Sequence, residues 1–102
     1  MNITIEYLQK YIKLKDYNTE LKEKYFLKLS EEVGELARAM RKDQRMINEQ
    51  VKGTIEEELW DIIYYALAIA NTYNINLEQI IPLKEKLNNE KYKTGVNFGD
   101  SI

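Results

Sequence analysis

The sequence contains no cysteine and no histidine. The first absence excludes disulfides and thiolate metal sites. The second excludes histidine acid–base chemistry, a histidine-activated nucleophile and ordinary zinc sites. Any metal must therefore be held by oxygen, which selects Mg²⁺, Mn²⁺ or Ca²⁺. Glycine is sparse, at Gly34, Gly53, Gly95 and Gly99, too scattered to form a phosphate-cradling loop. No apolar run approaches the roughly 20 residues of a membrane span. No basic N-terminal region precedes an apolar core, so no signal peptide and no membrane partner are expected, and the cytoplasm is the default location. With a net charge of −2 and no large Lys/Arg patch, a nucleic-acid polymer is not the obvious partner.

What is present fits a helical protein. Hydrophobic residues make up 44% of the chain and charged ones 31%, too apolar a balance for a disordered segment. At 102 residues there is enough for one domain, with little core to spare. Ile5, Leu8 and Ile12, with Ile3 and Tyr11, recur at helical spacing and predict a first amphipathic helix over residues 3–16. Asp16-Tyr17-Asn18-Thr19 is a polar break, with Asn18 or Thr19 as N-cap. A long second helix is expected from about Glu20 to Arg41, closed by Arg38, Arg41 and Lys42 at its negative end. Residues 43–53 read as a loop with a short turn near Met46 and Ile47.

Thr54-Ile55-Glu56-Glu57 is a capping box that opens a third helix, Ile55 to about Tyr73. That helix is apolar on two sides: Ile55, Ile62, Tyr65 and Ile69 on one, Leu59, Ile63, Ala66, Leu67 and Ala70 on the other. Such a helix must be covered over most of its surface, which in so small a chain points to a second subunit. Asn76 with Gln79 repeats the capping pattern after the break at residues 74–76. A fourth helix is expected from Leu77 to about Lys93. Pro82 lies too deep for the free first turn and should kink this helix or delay its regular start. The tail, residues 94–102, reads as irregular, with Val96, Phe98 and Ile102 free to dock on a neighbour. The expected fold is all-α: four helices in a single domain over residues 1–102, with its core at about 3–93.

Two acidic clusters stand out, Glu31-Glu32-Val33-Gly34-Glu35 and Glu58-Leu59-Trp60-Asp61. Glu32 and Glu35 share a helix face, as do Glu58 and Asp61, and like charges at that spacing repel by a few tenths of a kcal/mol. With Glu32 at zero on a helical wheel, Tyr25, Leu29, Val33, Leu36 and Met40 fall roughly 20–100° to one side. Glu32 thus borders an apolar stripe, with Glu31 further toward solvent. With Glu58 at zero, Tyr65, Ile69, Ile62 and Ile55 fall within roughly −20° to +60°, so Glu58 lies inside its stripe. A single Glu-x-x-Glu is ordinarily a solvated face with partners such as Lys28. Two such pairs on separate helices, one carboxylate inside a core stripe, set an oxygen-ligated cation on an equal footing with that solvated face, because buried carboxylates are almost always paired or metal-bound.

Lys28-Leu29-Ser30-Glu31-Glu32-Val33-Gly34-Glu35-Leu36, followed by Glu58-Leu59-Trp60-Asp61-Ile62, resembles the paired motif of MazG-like, all-α nucleoside triphosphate pyrophosphohydrolases. Lys84, Asn88, Lys91 and Tyr92 sit at the spacing of a Lys-x-x-x-Asn-x-x-Lys-Tyr segment common in short members. The resemblance covers roughly residues 20–93. It implies that Glu32, Glu35, Glu58 and Asp61 hold Mg²⁺, with Mn²⁺ as a substitute, and that Glu31 is a ligand or acts through water. The implied reaction turns a nucleoside triphosphate into the monophosphate and pyrophosphate, with Glu31 or Glu35 as general base. Lys28, Lys84 and Lys91 would contact phosphate oxygens, and Asn88 and Tyr92 the phosphates or sugar. Trp60, Tyr64 and Tyr65 read as core or interface, and Tyr7 and Tyr11 as weaker candidates for stacking on the base. The resemblance further implies dimers, sometimes paired into tetramers, with an intersubunit helical bundle. Two departures stand out: Lys93 replaces a proline found in many relatives, and Pro82 is unusual in that helix. Two alternatives share the pattern: a non-catalytic helical interaction module and a phosphoribosyl-ATP pyrophosphohydrolase.

Overall fold

The structure, a computed structural model, describes residues 1–102. It has four helices and no strand: α1 Ile5–Lys15, α2 Lys22–Arg41, α3 Ile55–Thr72 and α4 Leu77–Lys91. Each start has a local cause. Thr4 caps α1 by accepting from the Tyr7 N–H at 3.0 Å. Asn18 caps a short 3₁₀ turn, Thr19–Leu21, that precedes α2, so the expected first turn from Glu20 is tighter than an α-turn. Thr54 Oγ1 accepts from the Glu57 N–H at 3.2 Å and donates to the Val51 carbonyl at 2.6 Å. Glu57 reaches back one residue further than a standard capping box, to the Gly53 N–H at 2.9 Å.

Asn74 ends α3 with φ +56°, which turns the chain so that the Ile75 N–H donates to the Ala70 carbonyl at 2.9 Å. Asn76 caps α4 through the Glu78 N–H, while the Gln79 side chain takes no part in the cap. Helix α4 is regular from Leu77 and runs through Pro82. The proline therefore does not delay its start, because the Asn76 cap and the bond that the Leu77 N–H donates to Gln9 Oε1 fix the first turn.

Helices α2 and α3 form an antiparallel hairpin. Tyr25 near the start of α2 meets Leu67 and Ala68 near the end of α3, and Ile12 of α1, 0% exposed, completes this core. At the hairpin's other end the Ile55 N–H donates to the Gln44 carbonyl at 2.8 Å, and the Met46 N–H to Glu56 at 3.1 Å. Helix α1 is fixed by polar bonds. Gln9 donates to Asn71 at 3.1 Å and to the Ile75 carbonyl at 2.8 Å, accepts from the Leu77 N–H at 3.1 Å, and its carbonyl accepts from Asn71 at 2.9 Å. One buried glutamine thus ties α1 to the end of α3 and the start of α4.

The chain is open. Only 11 of 102 residues are buried, and the radius of gyration is 16.0 Å, against about 13 Å for a compact chain of this length. Accessible surface is 8203 Å², where a compact monomer of this mass has about 6,000 Å². Many large apolar side chains are exposed, and they are organised by helix. Phe26, Val33 and Met40 of α2 recur every seven residues and are exposed. So are Leu59 and Ile63 on α3, and Ile80, Leu83 and Leu87 on α4. Val33 and Met40 belong to the apolar stripe read from the sequence, but within one chain only the Tyr25, Leu29 and Leu36 part of that stripe is covered. No helix is long and apolar enough to cross a membrane.

Candidate metal centre

The antiparallel hairpin brings the two acidic clusters to one level. Glu32 of α2 meets Glu58 and Asp61 of α3, each offering a carboxylate oxygen within 4.8 Å of the others. Glu58 is 5% exposed, as its place inside the apolar stripe implies. Glu32 and Asp61 are half-buried. Oε2 of Glu32 and Oε2 of Glu58 are both sealed from solvent with no hydrogen-bond partner. Buried polar atoms are nearly always satisfied, and a carboxylate oxygen without a partner is costly.

The electrostatics follow from that crowding. Burial raises the Glu32 carboxyl from its ordinary 4.5 to about 8, helped by the neighbouring carboxyls of Glu58 and Glu35. Burial likewise raises Glu58, with Glu35 and Asp61 adding repulsion. Asp61 is raised by burial, then by Glu57 and Glu35. Glu35 thus faces the cluster electrostatically although it stands at its exposed edge. A cation would relieve every one of these strains together. The donors are all hard carboxylate oxygens, the set that suits Mg²⁺ or Mn²⁺.

Glu31 is placed differently. It points to solvent and pairs with Lys28 at 3.5 Å, outside the group of converging oxygens. Tyr65, one turn beyond Asp61, is half-buried and feels the charges of Lys28, Glu32 and Asp61; burial raises its phenol while Lys28 pulls it down. Lys28 thus lies on the approach to the site. The α4 residues are apart from it. Helix α4 packs chiefly on α1, and no hydrogen bond or ion pair links Lys84, Asn88, Lys91 or Tyr92 to the acidic cluster. Asn88 donates to Glu85 at 2.9 Å, and Lys91 lies over the Tyr92 ring. Lys93 has φ +52°, a conformation closed to proline, so the chain leaves α4 by a left-handed turn that the proline of many relatives could not make. Tyr7 and Tyr11 stack on α1 with ring centres 6.4 Å apart and remain partly exposed. A cleft of about 520 Å³ between α4 and the tail shares no lining residue with the acidic cluster.

An antiparallel α2–α3 hairpin that brings Glu32 together with Glu58 and Asp61 lies within a stretch that matches a known family. The pattern of the MazG nucleotide pyrophosphohydrolase domain covers residues 20–93. The chain belongs to the MazG family. Solved MazG relatives share the fold. The Ntag form of iMazG from Vibrio DAT 722 superposes with a TM-score of 0.79 at 44% identity, covering 88% of this chain and 98% of that one. The Ctag form gives 0.78 at 44% identity, covering 84% and 98%. No curated protein matches the chain.

Proposed function

We propose that this MazG chain, as one domain over residues 1–102, is a divalent-metal-dependent hydrolase that cleaves nucleoside triphosphates to the monophosphate and pyrophosphate. The observation that carries the reading is that Glu32 and Glu58, whose carboxylates converge with that of Asp61, each keep one sealed, unpartnered oxygen. An ordinary solvated acidic face leaves no such atoms. Glu32, Glu58 and Asp61, with Glu35 at the edge, are the residues that would hold Mg²⁺ or Mn²⁺. A cation bound there would neutralise triphosphate charge and lower the pKa of water.

The remaining chemistry falls to the chain. Water attacks the α-phosphorus, the α–β anhydride bond breaks, and pyrophosphate departs with that bond's electron pair. One glutamate must take the water's proton, since there is no histidine. Of the two candidates, Glu35 faces the other carboxylates while Glu31 is engaged with Lys28. Lys28, whose charge acts on Tyr65 one turn beyond Asp61, is suited to a phosphate oxygen.

The active form is a homodimer or a dimer of dimers. The surface in excess of a compact monomer is about 2,200 Å², well above the roughly 800 Å² that each partner gives to a standard interface. Lys84, Asn88, Lys91 and Tyr92 are then substrate-binding groups that assembly brings to an acidic site. Incubation with each of the eight common NTPs and dNTPs plus Mg²⁺ tests the reading. Equimolar monophosphate and pyrophosphate from at least one, lost in Glu58→Gln, is expected. Orthophosphate as the only product, or no turnover together with no metal binding, contradicts it and leaves a helical interaction module.

A further inference from the structure

We propose that Asp16 is a positioning residue for the acidic site, acting through Tyr25 and Tyr64. The inference rests on the metal-site reading above. Asp16 caps the end of α1, its N–H donating to the Ile12 carbonyl at 2.7 Å. Its two carboxylate oxygens accept from different helices: Oδ1 from the Tyr25 hydroxyl of α2 at 2.9 Å, Oδ2 from the Tyr64 hydroxyl of α3 at 3.0 Å. One carboxylate therefore ties both arms of the hairpin to α1. Lys15 lies over the Tyr64 ring, 5.4 Å from its centre, and limits that ring's swing.

The placement of this clamp gives it a consequence for the site. Tyr25 precedes Glu32 by seven residues, two turns and about 10 Å along α2. Tyr64 follows Asp61 by three residues, about 5 Å along α3. The opposite end of the hairpin is closed by the Gln44–Ile55 and Met46–Glu56 bonds. The acidic residues thus occupy the middle of a span tethered at both ends. They need the tethers, because carboxylates from α2 and α3 that repel one another would otherwise push the helices apart before a cation arrives. Asp16 sets the helix separation at which Glu32 meets Glu58 and Asp61.

A purely structural network and a positioning one differ in what they do to metal affinity. If Asp16 only stabilises the fold, removing it lowers the melting temperature equally with and without metal, and the Mn²⁺ dissociation constant is unchanged. If it positions the site, the affinity itself weakens; Asp16 bonds no ligand directly, so the low end of the loss seen for outer partners of metal ligands, on the order of ten-fold, is expected. The experiment is Mn²⁺ titration, by calorimetry or electron paramagnetic resonance, of wild type, Asp16→Asn, Asp16→Glu and the Tyr25→Phe/Tyr64→Phe double variant. The expected result is weakened Mn²⁺ binding in Asp16→Asn and in the double variant, with partial recovery in Asp16→Glu, which keeps both acceptor oxygens. Should Asp16→Asn fail to fold, the double variant, which keeps both rings, decides. Wild-type affinity in the folded variants overturns the proposal and leaves the metal site standing. No Mn²⁺ binding by the wild type overturns the metal reading and this proposal with it.

Discussion

Glu32 and Glu58 carry a conflict that no residue of this chain resolves, since each has a sealed oxygen without a partner. Glu32 has the same ordinary value, 4.5, when unfolded and titrates near 8 when folded. Between those values the folded state holds more protons than the unfolded one, so the metal-free protein should lose stability as pH rises from about 4.5 to 8. Metal binding displaces that proton, so Mn²⁺ affinity should rise through the same window. Thermal melts from pH 5 to 8.5, with and without Mn²⁺, measure both slopes. Glu58→Gln removes one buried charge and should raise the metal-free melting temperature while abolishing the Mn²⁺-induced shift. A gain of about 1 kcal/mol corresponds to roughly 4–8 °C at this size. These carboxylates were legible in the sequence because wheel position reports burial: Glu58 falls inside an apolar stripe and Glu31 outside one. Asp16 and Gln9 were not, because a polar residue whose partners lie on other helices leaves no periodic trace. Asp16 reads as part of a loop and Gln9 as part of a helix surface.

At the scale of elements, the helices are set by caps and tied by a few long-range polar bonds. Thr54→Ala removes the acceptor for the Glu57 N–H and the donor to Val51. It should cost about 1 kcal/mol, read as a lower melting temperature, and loosen the first turn of α3, which carries Glu58. Gln9→Leu should cost more. It leaves Asn71 Oδ1, the Ile75 carbonyl and the Leu77 N–H without the side chain they bond, and each buried group so stranded costs about 1–3 kcal/mol. Faster amide hydrogen exchange in α4 than in α2 would show that the loss falls on the α1–α4 junction. Helix ends were legible to within a few residues, since Asn18, Thr54 and Asn76 are all caps as their side chains suggest. The 3₁₀ turn before α2 and the undelayed start of α4 were not. Both depend on bonds made after the helices have packed, including the one between Gln9 and Leu77.

At the scale of the molecule, large apolar side chains lie exposed along α2, α3 and α4. The stripes on α2, α3 and α4 mark where a second copy is expected to lie. Ile63→Glu, exposed in the single chain and far from any cap, should convert a dimer to monomer in multi-angle light scattering and lower stability sharply. The all-α fold was legible from helical spacing, and the two-sided α3 raises the expectation of a second subunit, whereas which stripe one chain covers by itself was not legible. Periodicity shows that a face is apolar but not what buries it. The account depends above all on a cation seated between α2 and α3. Crystals grown with Mn²⁺ test this most directly, by anomalous scattering. An anomalous peak bonded to oxygens of Glu32, Glu58 and Asp61, at the roughly 2.0–2.2 Å usual for a small hard dication, is the predicted result. A map with no peak there, or with Mn²⁺ only elsewhere and the two glutamate oxygens still unpartnered, would contradict the account.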